Sequence, residues 1–112
     1  MATEPLVTPV SGSFSATGQS ATFQPIIMGL TQVANFNVTL GGSSWVGVSV
    51  QLERSFDQGA TWYPLTAAGS QIYIWTSPKD SEPVQEVTPG VFYRLNCTSY
   101  TSGAVTYLIT QA

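Results

Sequence analysis

The sequence has 112 residues, of which only 8% are charged, and its three basic and six acidic residues give a net charge of −3. This length fits a single domain with one modest core, and so few basic residues argue against a nucleic-acid interface. Histidine is absent, cysteine occurs once, and no run of about 18 apolar residues exists. We therefore expect no zinc site, no internal disulfide and no membrane span. A surface so poor in charge is typical of a protein that associates with others.

The first nine residues differ from the rest because two prolines flank Leu6 and Val7. Proline cannot donate a hydrogen bond to a sheet, so we predict an extended N-terminal arm over residues 1–9, with a frayed terminus as the alternative. Residues 10–112 are assigned to one domain. The first residues have neither a basic region nor an apolar one of the kind found in secretory signals, so we expect folding in a cytoplasm.

The first half of the domain contains short segments with the alternation of strands. Phe14 and Phe23 lie in two short runs rich in serine and threonine. The apolar segment 25–30 is interpreted as a crossing between sheets. A clear strand follows at residues 36–40, where every second residue is apolar, and the glycines and serines of residues 41–44 are predicted to close it.

The middle of the chain carries its most specific motif. Apolar residues at positions 46, 48, 50 and 52 alternate with small or polar ones and predict a half-buried strand. The octet 55–62, Ser-Phe-Asp-Gln-Gly-Ala-Thr-Trp, then leads into an aromatic run, so we predict a hairpin. The residues expected to form its structural turn are Ser55, Asp57, Gly59, Thr61 and Trp62.

Each of these residue types suits a tight turn. Asp57 can accept hydrogen bonds from backbone N–H groups just ahead of it, and Gly59 suits a position with positive φ. Trp62 is expected to fold back over the turn. The octet resembles the Asp-box, Ser-x-Asp-x-Gly-x-Thr-Trp, of sialidases and other β-propellers. In those families the box is a structural turn away from the active site, so the resemblance implies hairpin geometry and not sialidase activity.

Residues 71–76 form an apolar stretch with two isoleucines on one face and Tyr73 and Trp75 on the other. A small sandwich covers one face of such a strand, so we expect the isoleucines to face the core and the aromatic pair to face a partner. We therefore name Tyr73 and Trp75, together with Leu6 and Val7 of the arm, as candidate partner contacts.

The last third predicts a polar loop at 77–83, a short edge strand at 84–87, and two alternating strands at 91–97 and 105–109. The final pair resembles the last hairpin of immunoglobulin-like domains, although the second half of a jelly roll would look the same. Helical spacing is absent throughout. The sequence therefore predicts an all-β, single-domain β-sandwich of about eight or nine strands, jelly-roll-like, with an immunoglobulin-like sandwich as the alternative.

The residue types needed for most catalysis are missing. Without histidine, serine–histidine and cysteine–histidine nucleophiles are excluded, and Cys97 alternates with core positions, as a small buried hydrophobe does. Three acidic residues cluster on or beside the polar loop, namely Asp80, Glu82 and Glu86. This cluster is interpreted either as a calcium site or as a solvated loop. The carboxylates near the central hairpin flank its end, whereas a glycosidase needs a pair held in a cleft. We expect no enzyme activity and no cofactor or metal.

Three segments carry a further resemblance. They are the octet 55–62, the run Gln-Ile-Tyr-Ile-Trp-Thr at 71–76, and Val-Phe-Tyr-Arg-Leu-Asn-Cys-Thr at 91–98, which is followed by Tyr-Thr-Ser-Gly at 100–103. Together with the length and the serine- and threonine-rich composition, they resemble the capsid decoration (staple or cement) proteins of epsilon-fifteen-like short-tailed bacteriophages. The resemblance implies a jelly-roll-like fold, a place on the outside of the head, contacts that bridge major capsid proteins, and no catalytic residues.

We therefore expect a head decoration protein that is made in the host bacterial cytoplasm and lies on the outer surface of the virion. Its partner is the major capsid protein, with neither nucleic acid nor membrane involved. We expect a homodimer, because two-fold dimers are the commonest homo-oligomers. Two alternatives stay open: a carbohydrate- or receptor-binding module of a phage tail, with exposed aromatic rings as a sugar platform, and a head–tail connector component, which would form rings.

Overall fold

The computed structural model describes residues 8–27, 32–77 and 79–111. Leu6 and Val7, two of the candidate partner contacts, lie outside these residues, together with most of the predicted N-terminal arm. All regular secondary structure in the described ranges is β-strand. Nowhere in them is there a helix long and apolar enough to cross a membrane.

Eleven strands follow one another along the described part of the chain. They are β1 (Val10–Phe14), β2 (Gly18–Gln19), β3 (Ala34–Val46), β4 (Ser49–Ser55), β5 (Tyr63–Pro64), β6 (Thr66–Ala67), β7 (Ser70–Gln71), β8 (Ile74–Trp75), β9 (Lys79–Glu86), β10 (Phe92–Ser99) and β11 (Ser102–Thr110). Every second side chain is buried in β10 and in the first half of β3. This burial follows the period of two that the sequence shows.

The strands form two antiparallel sheets and one short ribbon. Sheet A has the order β1-β11-β3-β9, and sheet B has the order β2-β10-β4, with β5 and β8 both paired to the remaining side of β4. The ribbon of β6 and β7 lies between β5 and β8 in the chain. The two sheets contain eight strand positions if the ribbon is left out and β5 and β8 are counted together as the fifth position. In that count β9, β10 and β11 are the sixth, seventh and eighth positions. Sheet A then has the order 1-8-3-6 and sheet B the order 2-7-4-5, which is the strand order of a jelly roll. The predicted jelly-roll-like β-sandwich is confirmed.

The last two strands do not form the hairpin of the immunoglobulin-like alternative. β10 pairs with β2 and β4 in sheet B, whereas β11 pairs with β1 and β3 in sheet A. In an immunoglobulin sandwich the corresponding final strands share a sheet. The link at residues 100–101 therefore crosses between the sheets. The sequence did not reveal this, because the same turn residues serve a hairpin and a crossing.

The core lies between the two sheets and is centred on aromatic rings. Phe36 of sheet A and Tyr93 of sheet B meet edge to face, with ring centroids 4.8 Å apart, and Phe23 packs 5.3 Å from Phe36. Aliphatic side chains of both sheets surround them, namely Val38, Leu40, Val50, Leu52, Val84, Leu95, Val105 and Ile109. Burial of one such side chain contributes about 1.5–3 kcal/mol, so this layer is the main source of stability.

Two strands are longer than the sequence predicts. β3 does not close at residues 41–44 but continues to Val46, with Gly42 paired to Val105 of β11. Gly42 has a φ of 105°, and a Cβ on it would overlap with the carbonyl oxygen of Ala104. Glycine is needed there for close approach of two strands and not to end one. β9 likewise takes in most of the predicted polar loop and forms an edge of sheet A, where a proline is tolerated.

Candidate binding surface

The central turn is closed by side chain–backbone hydrogen bonds. The Ser55 hydroxyl donates to Asp57 Oδ1 over 2.7 Å and accepts from the Gly59 N–H over 2.8 Å. Asp57 Oδ1 also accepts from the Thr61 N–H over 2.8 Å. The hydrogen bond from Ser55, followed by those from Thr61, lowers the pKa of Asp57 below its ordinary value. The carboxylate is therefore ionised at neutral pH, when it acts as a pure acceptor.

Trp62 joins this turn to the neighbouring strand β10. Its indole Nε1 donates to the Gly59 carbonyl over 3.0 Å, and the guanidinium of Arg94 lies 4.3 Å from its ring centroid. Gln58 and Gly59 both have positive φ, of 60° and 93°. The turn connects β4 to β5, which pair in antiparallel fashion through Arg54 and Tyr63. The five residues of the motif thus lie together in one hairpin loop.

The outer face of sheet B carries a connected set of polar side chains, which we call the outer-face network. The Glu53 carboxylate accepts hydrogen bonds from Arg94 Nε over 2.8 Å, from Asn96 Nδ2 over 2.9 Å and from Gln51 Nε2 over 2.5 Å. Two more hydrogen bonds extend it, from Gln19 to Asn96 over 3.1 Å and from Gln71 to Gln51 over 2.9 Å. Burial raises the pKa of Glu53, but the hydrogen bonds from Asn96, Gln51 and Arg94 outweigh burial and leave that pKa below its ordinary value.

A second carboxylate is buried between the sheets at one end of the sandwich. Glu86 Oε1 lies 3.3 Å from Arg54 Nη1 and accepts from the Tyr93 hydroxyl over 2.6 Å. Its Oε2 accepts from the N–H groups of Val87 and Thr88, each over 3.0 Å. Burial raises the pKa of Glu86. These hydrogen bonds and the Arg54 charge lower the pKa by more than burial raises it, so the pKa lies below its ordinary value. Burial, together with the bond to Glu86, raises the pKa of Tyr93.

Exposed apolar side chains surround this ion pair. An open depression of about 580 Å³ lies beside it, lined by Arg54, Phe56, Tyr63, Pro64 and Thr66. Phe56 is 54% exposed and Tyr63 is 53% exposed, while the Arg54 guanidinium lies 5.0 Å from the Phe56 ring centroid. Val87, which follows Glu86, is 62% exposed. We call Phe56, Tyr63 and Val87 the end patch.

The segment around Tyr73 differs from its predicted arrangement. Trp75 is only 5% exposed and belongs to the core, whereas Ile74 is 42% exposed, so the predicted outward orientation of Trp75 is wrong. The reason is the φ of 57° at Tyr73, which breaks the alternation and leaves two short strands, β7 and β8, in place of one. Tyr73 is half-buried, with its ring stacked 6.1 Å from that of Trp75.

Cys97 and the acidic residues near the predicted polar loop are the sequence's candidates for covalent chemistry and for metal binding. No group of three or more histidine, cysteine, aspartate or glutamate side chains among them is placed to hold a metal ion. Of the predicted acidic cluster, Glu86 is instead engaged with Arg54 and Tyr93. Cys97 is buried, and burial raises the pKa of its thiol. The thiol is therefore protonated at neutral pH and is a poor nucleophile.

Neither the end patch nor the ion pair beneath it was predicted from the sequence. The available signal for the ion pair was strand parity. Arg54 follows Leu52 by two residues in β4, and Glu86 follows Val84 by two residues in β9, so both belong to the core-facing series of their strands. A charge of each sign at the end of two facing apolar series indicates an ion pair at the rim of the core.

No protein family, curated protein or solved structure matches this chain. Its function is therefore inferred from its surface. Two features of that surface are suited to binding: the end patch, where the Arg54 guanidinium lies against the exposed Phe56 ring, and the outer-face network beside Trp62.

Proposed function

We propose that the chain is a bacteriophage head decoration, or cement, protein that binds the outside of the capsid and stabilises contacts between major capsid proteins. Three observations support the proposal. Segments at 55–62, 71–76 and 91–103 resemble this class of protein, the charge content is low, and the described surface presents exposed apolar side chains. In this role the protein is a binding protein and not an enzyme, and it joins the virion after folding in the host cytoplasm.

The end patch is the observation that carries the proposal. Phe56, Tyr63 and Val87 each expose more than half of their surface, in a chain of which only 8% of residues are charged. Aromatic residues are enriched at the centres of protein interfaces, where charged residues are depleted. A patch of this kind at one end of a small sandwich is suited to an apolar site on another protein.

Contacts of Arg54 hold the Phe56 side of the end patch before a partner binds. Arg54 pairs with Tyr63 across β4 and β5, contacts the Phe56 ring, and is held by the buried Glu86 carboxylate. Side chains that are already fixed lose less conformational entropy when a partner covers them. A cement protein repeats one contact over a whole shell, so a modest affinity at each copy is enough to stabilise the particle.

The proposal is tested by adding the purified chain to phage heads assembled without it. Occupancy is measured by cryo-EM, and stability by the temperature at which heads rupture. The wild-type chain is expected to bind and to raise that temperature. Replacing Phe56→Ser and Tyr63→Ser together should lower affinity about thirtyfold or more, because truncated aromatic anchors at interfaces typically cost at least about 2 kcal/mol.

Val46→Ser combined with Leu108→Ser is the matched control. These side chains are 53% and 37% exposed and lie on sheet A away from the end patch, so their loss should leave binding unchanged. Full occupancy by the Phe56 and Tyr63 variant would show that another surface makes the contact. If the wild-type chain never binds heads, the cement proposal fails.

The outer-face network favours a second candidate, a carbohydrate- or receptor-binding module of a phage tail. Amide and carboxylate groups beside an indole ring are suited to sugar hydroxyls and to the apolar faces of sugar rings. Binding of the isolated chain to a glycan array, lost on Asn96→Ala and kept on Phe56→Ser, would favour this candidate. A head–tail connector component, in contrast, would assemble into rings visible by electron microscopy.

A further inference from the structure

The edge strands of the two sheets differ in how well they are protected against pairing with another chain. In natural sheets, exposed edges are shielded by charge, by proline or by being very short. β9, one edge of sheet A, contains Glu82 and Pro83. In sheet B, the outer strands β2, β5 and β8 have two residues each, and β5 includes a proline.

β1, the other edge of sheet A, has none of these protections. Its five residues, Val-Ser-Gly-Ser-Phe, include no charge and no proline, and they pair without a register shift with β11 on one side. Among the described residues no strand pairs with its other side. Residues 11–13 are exposed. β1 therefore presents a row of backbone donors and acceptors that is open to another strand.

We propose that β1 pairs with β1 of a second copy of this chain, antiparallel and centred on Gly12, so that two sheets A join into one continuous eight-stranded sheet. This pairing sets Val10 opposite Phe14 of the partner subunit and Ser11 opposite Ser13 of the partner subunit. The strand is close to palindromic about Gly12, so apolar residues meet apolar residues and hydroxyls meet hydroxyls. Cross-strand matches of these kinds stabilise a sheet.

The proposed pairing is compatible with the way in which β1 already packs against β11. Val10 and Phe14 of β1 pair with Ile109 and Val105 of β11, which are buried, so the apolar side chains of β1 point into the sandwich. Antiparallel pairing in this register keeps the alternation on both faces of the joined sheet. Tyr107 leans over Gly12, where an added Cβ would lie 2.6 Å from its hydroxyl oxygen. The space between Gly12 and Tyr107 on the core side of the strand is therefore too small for a larger side chain at position 12.

The geometry also limits the assembly to two copies. Pro9 directly precedes β1 and has no N–H to donate, so the ladder ends there. The described part of each chain offers one such edge, and two-fold pairing consumes it, which gives a closed dimer and not a fibre. This inference does not depend on the cement proposal, because it concerns the free protein in solution.

Charge substitutions at the two exposed serines test the pairing and its register. Ser11→Lys with Ser13→Lys places lysine opposite lysine at both mirrored positions, and should weaken self-association about tenfold or more. Ser11→Lys with Ser13→Glu places lysine opposite glutamate at both positions in the proposed register only, and should restore the dimer. Both serines are exposed, so the fold of each chain should be unaffected, which thermal unfolding of the dilute proteins checks.

Sedimentation velocity over a range of concentrations measures the association. A wild-type dimer, a double-lysine monomer and a lysine–glutamate dimer are the expected results. A wild-type chain that stays monomeric overturns the proposal. A double-lysine variant that dimerises like the wild type places the interface elsewhere. A lysine–glutamate variant as weak as the double-lysine variant contradicts the register centred on Gly12.

Discussion

The hydroxyl of Tyr93 donates a 2.6 Å hydrogen bond to the carboxylate of Glu86 across the sandwich. Tyr93 lies in β10 of sheet B, and Glu86 is the last residue of β9 in sheet A. Both residues are buried, with 0% and 3% of their surfaces exposed. The bond therefore ties the two sheets together at the end of the core, directly beneath Arg54 and the end patch.

Removing the Glu86 carboxylate should loosen this end of the sandwich. In Glu86→Ala the Tyr93 hydroxyl and two backbone N–H groups lose their acceptor, so we expect the free energy of unfolding to fall by about 1–3 kcal/mol in urea titrations. Glu86→Gln should cost less, because its amide oxygen can still accept from Tyr93. Glu82→Gln, on the same strand, is the control and should change stability little. Equal stability of Glu86→Ala and wild type would show that the bond does not tie the sheets.

The two buried carboxylates should also make stability depend on pH. The pKa values of Glu53 and Glu86 are lower in the folded protein than the ordinary value of about 4.3. The unfolded chain therefore takes up protons first as pH falls. Their contribution is complete above about pH 5 and is lost as pH falls from about 4.3 through the folded pKa values. Urea titrations between neutral pH and pH 3 measure this loss. The slope should be shallower in Glu86→Gln than in wild type.

Much of the sandwich could be predicted because alternation fixes which side chains a strand buries. Phe36 and Tyr93 each stand in a run of alternating apolar residues, and both are buried. The pairing of those strands could not be read in the same way. The link between β10 and β11 has the composition of a hairpin turn, and it crosses between sheets because each strand finds its partners far away in the chain.

The errors near the candidate surface have a common cause, which is backbone geometry that composition does not show. Tyr73 is neither glycine nor asparagine, yet its φ is positive, and the faces of its neighbours are thereby exchanged. The end patch depends on Phe56, a variable position of the turn motif, and on Tyr63 beyond it. Their proximity arises from a loop that closes over Ser55, and no periodic pattern encodes it.

The buried hydroxyl of Ser55 should matter more to stability than its size suggests. It is fully buried, donates to Asp57 and accepts from the Gly59 N–H. Ser55→Ala leaves that N–H without a close partner, and we expect a loss of about 1–3 kcal/mol measured by thermal or chemical unfolding. Asp57→Ala should also lower the unfolding temperature, since the Thr61 N–H loses its acceptor. Ser70→Ala, at an exposed position, is the control. A Ser55→Ala protein as stable as this control would contradict the assigned role.

The reversed orientation of residues 74 and 75 has a direct test. Trp75→Ala should remove a core ring and lower the free energy of unfolding by about 3–5 kcal/mol. Ile74→Ala, at a side chain that is 42% exposed, should cost less than about 1 kcal/mol. Chemical unfolding of the two variants side by side decides the matter. If Ile74→Ala were the more destabilising of the two, the strand would face the other way.

Arg94 links the central turn to the outer-face network, and its shape should count as much as its charge. The guanidinium stacks 4.3 Å from the centroid of Trp62 while Nε donates to Glu53 over 2.8 Å. Lysine keeps the charge but cannot make both contacts with one planar group. We expect Arg94→Lys to lower the free energy of unfolding by about 0.5–2 kcal/mol.

Arg54→Lys is the comparison, because Arg54 stacks on Phe56 and leaves Trp62 untouched. Tryptophan fluorescence separates the two variants: emission should shift to longer wavelength in Arg94→Lys, where water reaches the uncovered Trp62 ring, and stay as in wild type in Arg54→Lys. An unshifted Arg94→Lys spectrum would mean that the guanidinium does not shield the indole.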